Sequence, residues 1–269
     1  MTKLILFAAT ILVPGVACAQ SAAAPAAAAP ELCTDRPSKA TSACTVPKGM
    51  IQVEADLVNW TRDSNDGVRT DTLLYTSPLL KYGVTGSTDI EASITPYETI
   101  RTRDSTGSST IRGVGDLYLR VKQRLTKVDA KTQFALEPYL KIPTAKLGIG
   151  NRKVEGGLVG TGVFNLSDGF SLTVSPEIDE LENAALDGRH AQLVGAVNLG
   201  KSLSKTLTAS AELWSARDYD PSGRVDQYSA DVAIAYLAAP TLQLDAGADI
   251  GLNRATPDVQ AYVGISTRF

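Results

Sequence analysis

The sequence predicts an all-β chain: a transmembrane, antiparallel, up-and-down β-barrel of about twelve strands. Three observations predict it. Apolar and polar residues alternate with a period of two, run after run, from Met50 to Phe269. The connections between these runs alternate between short and long. The chain opens on an export signal and ends on an aromatic residue.

At the N-terminus, Lys3 supplies a positive charge, Leu4 to Val16 an apolar run broken by Pro14 and Gly15, and Ala17-Cys18-Ala19 an A-x-A cleavage site. Residues 1–19 therefore read as a signal peptide. Cys18 offers a second reading, a lipidated cysteine, which Gly15 disfavours. Ser21 to Pro30 is almost entirely Ala and Pro, a linker with nothing to build a core from. Cys33 and Cys44 are the remaining cysteines once the signal is removed. In an oxidising compartment they are expected to pair, with two free thiols as the alternative. Closing so short a loop stabilises by roughly 3 kcal/mol in the chain-entropy view. Residues 20–49 are thus a linker plus a disulfide-closed segment, periplasmic or plugging, and 50–269 the barrel.

The barrel runs lie near 50–61, 70–82, 88–98, 113–125, 132–143, 157–166, 170–179, 189–200, 205–216, 226–237, 241–252 and 259–269. In 241–252, Leu242, Leu244, Ala246, Ala248, Ile250 and Leu252 alternate with Gln243, Asp245, Gly247, Asp249 and Gly251. In 113–125, Leu117, Leu119 and Val121 oppose Asp116, Tyr118, Arg120 and Lys122. Such strands have two unlike faces. Gly160 and Gly162 blur the pattern in 157–166. The count is even, as in single-chain outer-membrane barrels, and runs of this length cross a bilayer when tilted. Residues 83–87, 126–130, 167–169, 201–205 and 238–240 are short connections. Between them, 62–69, 99–112, 143–156, 179–189, 217–224 and 253–258 are longer and richer in charge, Gly and Pro. Short periplasmic turns and long outer loops follow this rule. Lipid offers the backbone no hydrogen bonds, so such a sheet must close on itself. Val263, Ile265 and Phe269 alternate outward at the C-terminus, like the signal read by the outer-membrane assembly machinery. Aromatic residues, at 6%, are sparse for a barrel with two aromatic girdles.

Several motifs resemble a known family. Cys33-Thr34-Asp35-Arg36-Pro37 with Cys44-Thr45-Val46-Pro47-Lys48-Gly49 is similar to the first segment of outer-membrane transporters filed with the phenol meta-pathway degradation proteins. Tyr82-Gly83-Val84-Thr85 before Asp89-Ile90-Glu91, and Gly113-Val114-Gly115-Asp116 followed by Lys122, resemble later stretches. Leu140-Lys141-Ile142-Pro143-Thr144 resembles another, with Ala145 where Gly is usual. The resemblance covers most of the chain after residue 31. It implies an outer-membrane barrel, sometimes encoded beside aromatic-degradation enzymes, and names no substrate.

The net charge of −3 and pI near 5.3 argue against a nucleic-acid partner. The one histidine, His190, excludes a multi-His metal site. It has no nameable serine partner for lipid hydrolysis and reads as a lumen or loop residue. The acids Glu177, Asp179, Glu180 and Glu182 read as a strand end and solvated rim, with divalent-cation or lipopolysaccharide bridging as the sharper alternative. Gly148, Gly150, Gly156 and Gly157 lack the following helix of a phosphate-binding loop. No cofactor, metal or catalytic residue is expected, and the protein is not read as an enzyme.

The functional set read from the sequence is the charges expected on the inner face: Asp116, Arg120, Lys122, Glu137, Lys141, Glu177, Glu212, Asp231, Asp245 and Arg268. Arg120 and Lys122 are expected to meet Glu137 and Lys141 on the next strand. They either line a water path and set its charge preference or fill the interior. The expected function is passive passage of small solutes, aromatic or other hydrophobic compounds among them, across a Gram-negative outer membrane. The alternative is a structural barrel with a filled lumen. The expected partners are outer-membrane lipid and lipopolysaccharide, the barrel-assembly machinery and small solutes, with the chain a monomer.

Overall fold

The structure, a computed structural model, describes residues 32–269. The expected signal peptide and the Ala/Pro linker lie outside the described residues. Fourteen strands follow in chain order: β1 (Ile51–Asn65), β2 (Val68–Gly83), β3 (Thr88–Ile94), β4 (Tyr97–Asp104), β5 (Gly107–Gly113), β6 (Leu117–Arg124), β7 (Thr132–Ile142), β8 (Glu155–Asn165), β9 (Phe170–Glu182), β10 (Arg189–Ser202), β11 (Leu207–Asp218), β12 (Val225–Ala239), β13 (Leu242–Gly251) and β14 (Val259–Arg268). A 3-10 turn, Ser167–Gly169, joins β8 to β9.

These fourteen strands make twelve staves. β2 is flanked on one edge by β1 and on the other by β3 below and β4 above. β3 continues the pairing to β6, and β4 to β5. So β3 with β4, and β5 with β6, are single staves broken at one level, at Thr95-Pro96 and Val114-Gly115-Asp116. The Gly115 amide donates to the Thr95 carbonyl at 2.8 Å and ties the two breaks together. Every pairing between these strands is antiparallel, and β1 pairs with both β2 and β14, so the sheet closes. The expected closed, antiparallel, twelve-stave barrel is the observed fold.

The faces are inverted relative to a water-soluble protein. Leu213 is 62% exposed and Val232 58%, while Lys122 is 0%, Glu54 1% and Asp89 1% exposed. Charge inside and hydrocarbon outside is the pattern of a barrel in lipid. Among the described residues no helix is long and apolar enough to cross a membrane; strands do the crossing. At the short-turn end Phe134 meets Phe164 edge-on at 6.0 Å, and Lys201 sits 4.1 Å over the Phe170 ring. Near the break Tyr75 meets Tyr97 at 5.7 Å.

Two of the expected long loops are strand instead. β1 and β2, of 15 and 16 residues, continue through 62–69 to a two-residue turn at Asp66-Gly67. Both turn residues have positive φ, 52° and 79°, as the tight hairpin turn that suits strand twist requires. Likewise 99–112 is mostly the β4–β5 hairpin. Its polar, charged sequence signals a position outside the bilayer, not absence of strand. Among the described pairings β5 joins only β4, and residues 144–150 pack beside it. Thr144 Oγ1 donates to the Gly115 carbonyl at 2.9 Å, and the Ala145 amide to Asp116 at 2.8 Å.

Candidate functional site

The inner face of the barrel is a field of paired charges, and residues 32–49 thread through it from the short-turn end. A disulfide joins Cys33 to Cys44. The Gly49 amide donates to the Gly83 carbonyl at 2.8 Å, and the Val46 amide to Asp89 at 2.7 Å. Ala40, Ala43 and Val46 are buried. Gly83 is required here, because a Cβ on it would run into the Val46 and Pro47 carbonyl oxygens.

The charges on this segment match the wall facing them. Asp35 pairs with Lys81 of β2 and, at 2.7 Å, with Lys122 of β6. Lys122 also pairs with Glu137 of β7 at 3.0 Å, and Lys81 with Glu54 of β1 at 2.8 Å. Next along the segment, Arg36 lies between Asp56 of β1 at 2.6 Å and Asp245 of β13 at 2.7 Å, with the Tyr262 ring 5.7 Å away. Gly264 of β14 leaves room for its guanidinium; a Cβ there would collide with it. Lys39 pairs with Asp231 at 2.8 Å and Asp249 at 2.9 Å. The Lys39 and Ala40 amides donate to Glu212 at 2.9 and 3.0 Å. Charge-assisted bonds of this kind, largely withdrawn from solvent, hold one geometry.

On the long-loop side of Lys39 and Thr41 the lumen opens into a chamber of about 490 Å³. Arg120 dominates one wall. Its guanidinium lies 5.1 Å from the Tyr118 ring centre and 6.0 Å from that of Tyr139, donates to Ser93 Oγ at 2.7 Å and approaches Glu137 at 3.4 Å. Tyr139 donates its hydroxyl to Asp179 of β9 at 2.6 Å. Gly157 permits this bond, since a Cβ there would strike both side chains. Glu177, one inward position along β9, also lines the chamber, as does Trp214 of β11. A side cavity of about 370 Å³ at the strand breaks shares Tyr118 and Arg120 with it.

The ten charges singled out in the sequence all sit on the inner face, but not in one group. Arg120, Glu137, Lys141 and Glu177 line the chamber. Lys122, Glu212, Asp231 and Asp245 hold the N-terminal segment. Asp116 accepts from Ala145 at the strand break, and Arg268 is buried near the short-turn end of β14. Arg120 and Lys122 meet Glu137 as expected. Lys141 does not join them. It lies in register with Tyr118 and Glu155 and bonds Glu155 and Asn151, with Asp116 at 3.7 Å. One step of register moves it to a different network.

Sequence reasoning did not count Asp35, Arg36 and Lys39 among the functional charges, because they lie outside the periodic region. It also passed over Glu54, Lys81, Asp89 and Glu91, which the same alternation places on the inner face of β1, β2 and β3. The acidic run of β9 splits by face. Asp179 is buried inside, while Glu180 reaches outward to Arg189 at 3.8 Å and Glu182 pairs with Lys153 at 2.7 Å. His190 is a loop anchor: its ring lies 2.8 Å from Asp218, 3.0 Å from Asn183 and 3.5 Å from Asp220. Val263 and Phe269 point outward at the C-terminus.

Comparison with known proteins bears on the fold and the family. No curated protein matches the chain by sequence. An outer membrane channel of Pseudomonas putida F1 superposes with a TM-score of 0.67 at 14% identity, over 85% of this chain and 98% of that one. The NanC porin superposes at 0.51 with 8% identity, over 81% and 98%. The β domain of the Bordetella autotransporter BrkA superposes at 0.52 with 14% identity, over 82% and 100%. At such identities the likeness is one of fold, that of bacterial outer-membrane barrels. A family profile matches residues 34–269, spanning the N-terminal segment and the whole barrel, and the chain belongs to the family it describes, "Putative MetA-pathway of phenol degradation".

Proposed function

We propose that the protein is a monomeric outer-membrane channel that passes small solutes passively, with residues 32–49 as a plug that narrows the lumen. The observation that carries this reading is the chamber of about 490 Å³. A barrel whose interior served only structure would fill that space with side chains, whereas here polar and aromatic groups line it. Twelve staves fall between filled eight-stranded barrels and water-filled sixteen-stranded ones, so a plugged lumen with a residual path fits the size. The family and the rings of Tyr118, Tyr139 and Trp214 favour aromatic or other partly apolar solutes.

The buried charge pairs that hold the plug favour a second reading, a structural barrel with no transport. Single-channel conductance of the refolded protein in a planar bilayer, with and without residues 20–49, separates the two. Conductance steps that grow on truncation are the expected result. Silence from both proteins, each shown to be folded by heat-modifiable migration in detergent gels, refutes the channel.

A further inference from the structure

We propose that the chamber is selective for cations and binds small organic amines, with Glu177 and Asp179 taking the ammonium group and the rings of Tyr139 and Trp214 its apolar part. This rests on the channel reading and adds to it the sign of the charge that passes.

The basic groups of the chamber are all committed. Lys141 is held by Glu155, Lys39 by Asp231 and Asp249, and Arg120 by Glu137 and Ser93 between two tyrosines. Among the described residues neither Glu177 nor Asp179 lies within salt-bridge distance of a Lys or Arg; Asp179 accepts from the neutral Tyr139 hydroxyl and shares a side-chain hydrogen bond with Glu177. Two carboxylates on consecutive inward positions of β9 thus face the chamber without counter-charge.

A separate observation lies across Lys39 and Trp214. There a second cavity, of about 310 Å³, is lined by Asp249. Asp249 is 5% exposed, and its Oδ1 has no hydrogen-bond partner. A buried carboxylate oxygen left unpaired beside a cavity is a vacant acceptor for a donor that arrives from outside the chain. Chamber and second cavity share Lys39 and Trp214, so carboxylates with unused capacity stand on both sides of one indole ring. An ammonium group gains from both features, since carboxylates accept its protons and aromatic faces attract its charge. An anion meets the two carboxylates that have no basic partner, Glu177 and Asp179. Lumen charge of one sign sets channel preference, and a cleft so lined concentrates counter-ions on the order of tenfold or more.

Two measurements on the full-length refolded protein test this. Under a potassium chloride gradient the reversal potential is expected to report cations favoured over chloride on the order of tenfold, with E177Q/D179N falling toward no preference. In a Trp60→Phe background Trp214 is the only indole. Its fluorescence is expected to respond saturably to benzylammonium and not to benzoate, and E177Q/D179N to abolish the response while the barrel stays heat-modifiable. Chloride preference, or benzoate binding as well as benzylammonium, overturns the proposal. A folded protein that binds benzylammonium selectively but carries no current retains the site and refutes the channel, so the two readings fail separately.

Discussion

Replacing Arg36 with alanine tests whether the charge pairs seat the N-terminal segment. Among the described residues Arg36 is the one basic group between Asp56 and Asp245, with side-chain exposures of 15%, 16% and 0% for the three residues. Removing one partner from so buried a pair leaves a stranded charge and costs about 3–5 kcal/mol. At 1.4 kcal/mol per tenfold, that weakens the seated state by about two to three orders of magnitude. The segment does not leave outright, because Asp35 still holds Lys81 and Lys122, and Lys39 still holds Asp231 and Asp249. The expected record in a planar bilayer is therefore the wild-type current interrupted by bursts of larger conductance. The paired variant R36A/D245A removes the stranded Asp245 charge and is expected to burst less often than R36A alone. Identical burst frequency in wild type and R36A, with the variant folded, would show that the pairs do not control the lumen.

Two further outcomes follow from local geometry. Gly83→Ala places a methyl against the Val46 and Pro47 carbonyls, costing about 1–3 kcal/mol as overpacking; a lower midpoint for heat-modifiable unfolding and a raised mean conductance are expected. The second concerns Asp220, in the loop after β11, whose carboxyl is held down at about 2 by hydrogen bonds from the Ser222 side chain, then from the Ala184 and Ser222 amides. Because its folded value lies below the ordinary 3.8, its contribution is present above that value and lost as pH falls through about 2. Pepsin is expected to cleave near Leu186 at pH 2 and spare that loop at pH 4, whereas D220N is cut at both; equal cutting of wild type at both pH values counts against the docking.

The class of fold was legible because a barrel strand obeys a period that local sequence cannot hide. Leu242 to Leu252 and Leu117 to Arg124 declare their two faces without reference to any partner. The Cys33–Cys44 pairing needed only the compartment and the count. The stave ends were less legible. The β1–β2 and β4–β5 hairpins stand beyond the apolar band, where strand residues no longer face lipid and alternation lapses, so Arg62 to Arg69 and Thr99 to Arg112 carry the composition of loops.

What the sequence determined by itself is therefore which side chains face in and which face out, since that depends on parity along one strand. What the tertiary structure alone decided is which inward charges meet. Lys141 turns to Glu155 and not to Glu137, Asp35 reaches two lysines from strands far along the chain, and Glu177 and Asp179 are left without a basic partner. Those pairings depend on stave-to-stave register, on the strand breaks at Thr95 and Gly115, and on a segment folded back inside the barrel. The physical reason is that charges interact through space over a few ångströms, and closure of the sheet sets those distances among residues that no local pattern connects.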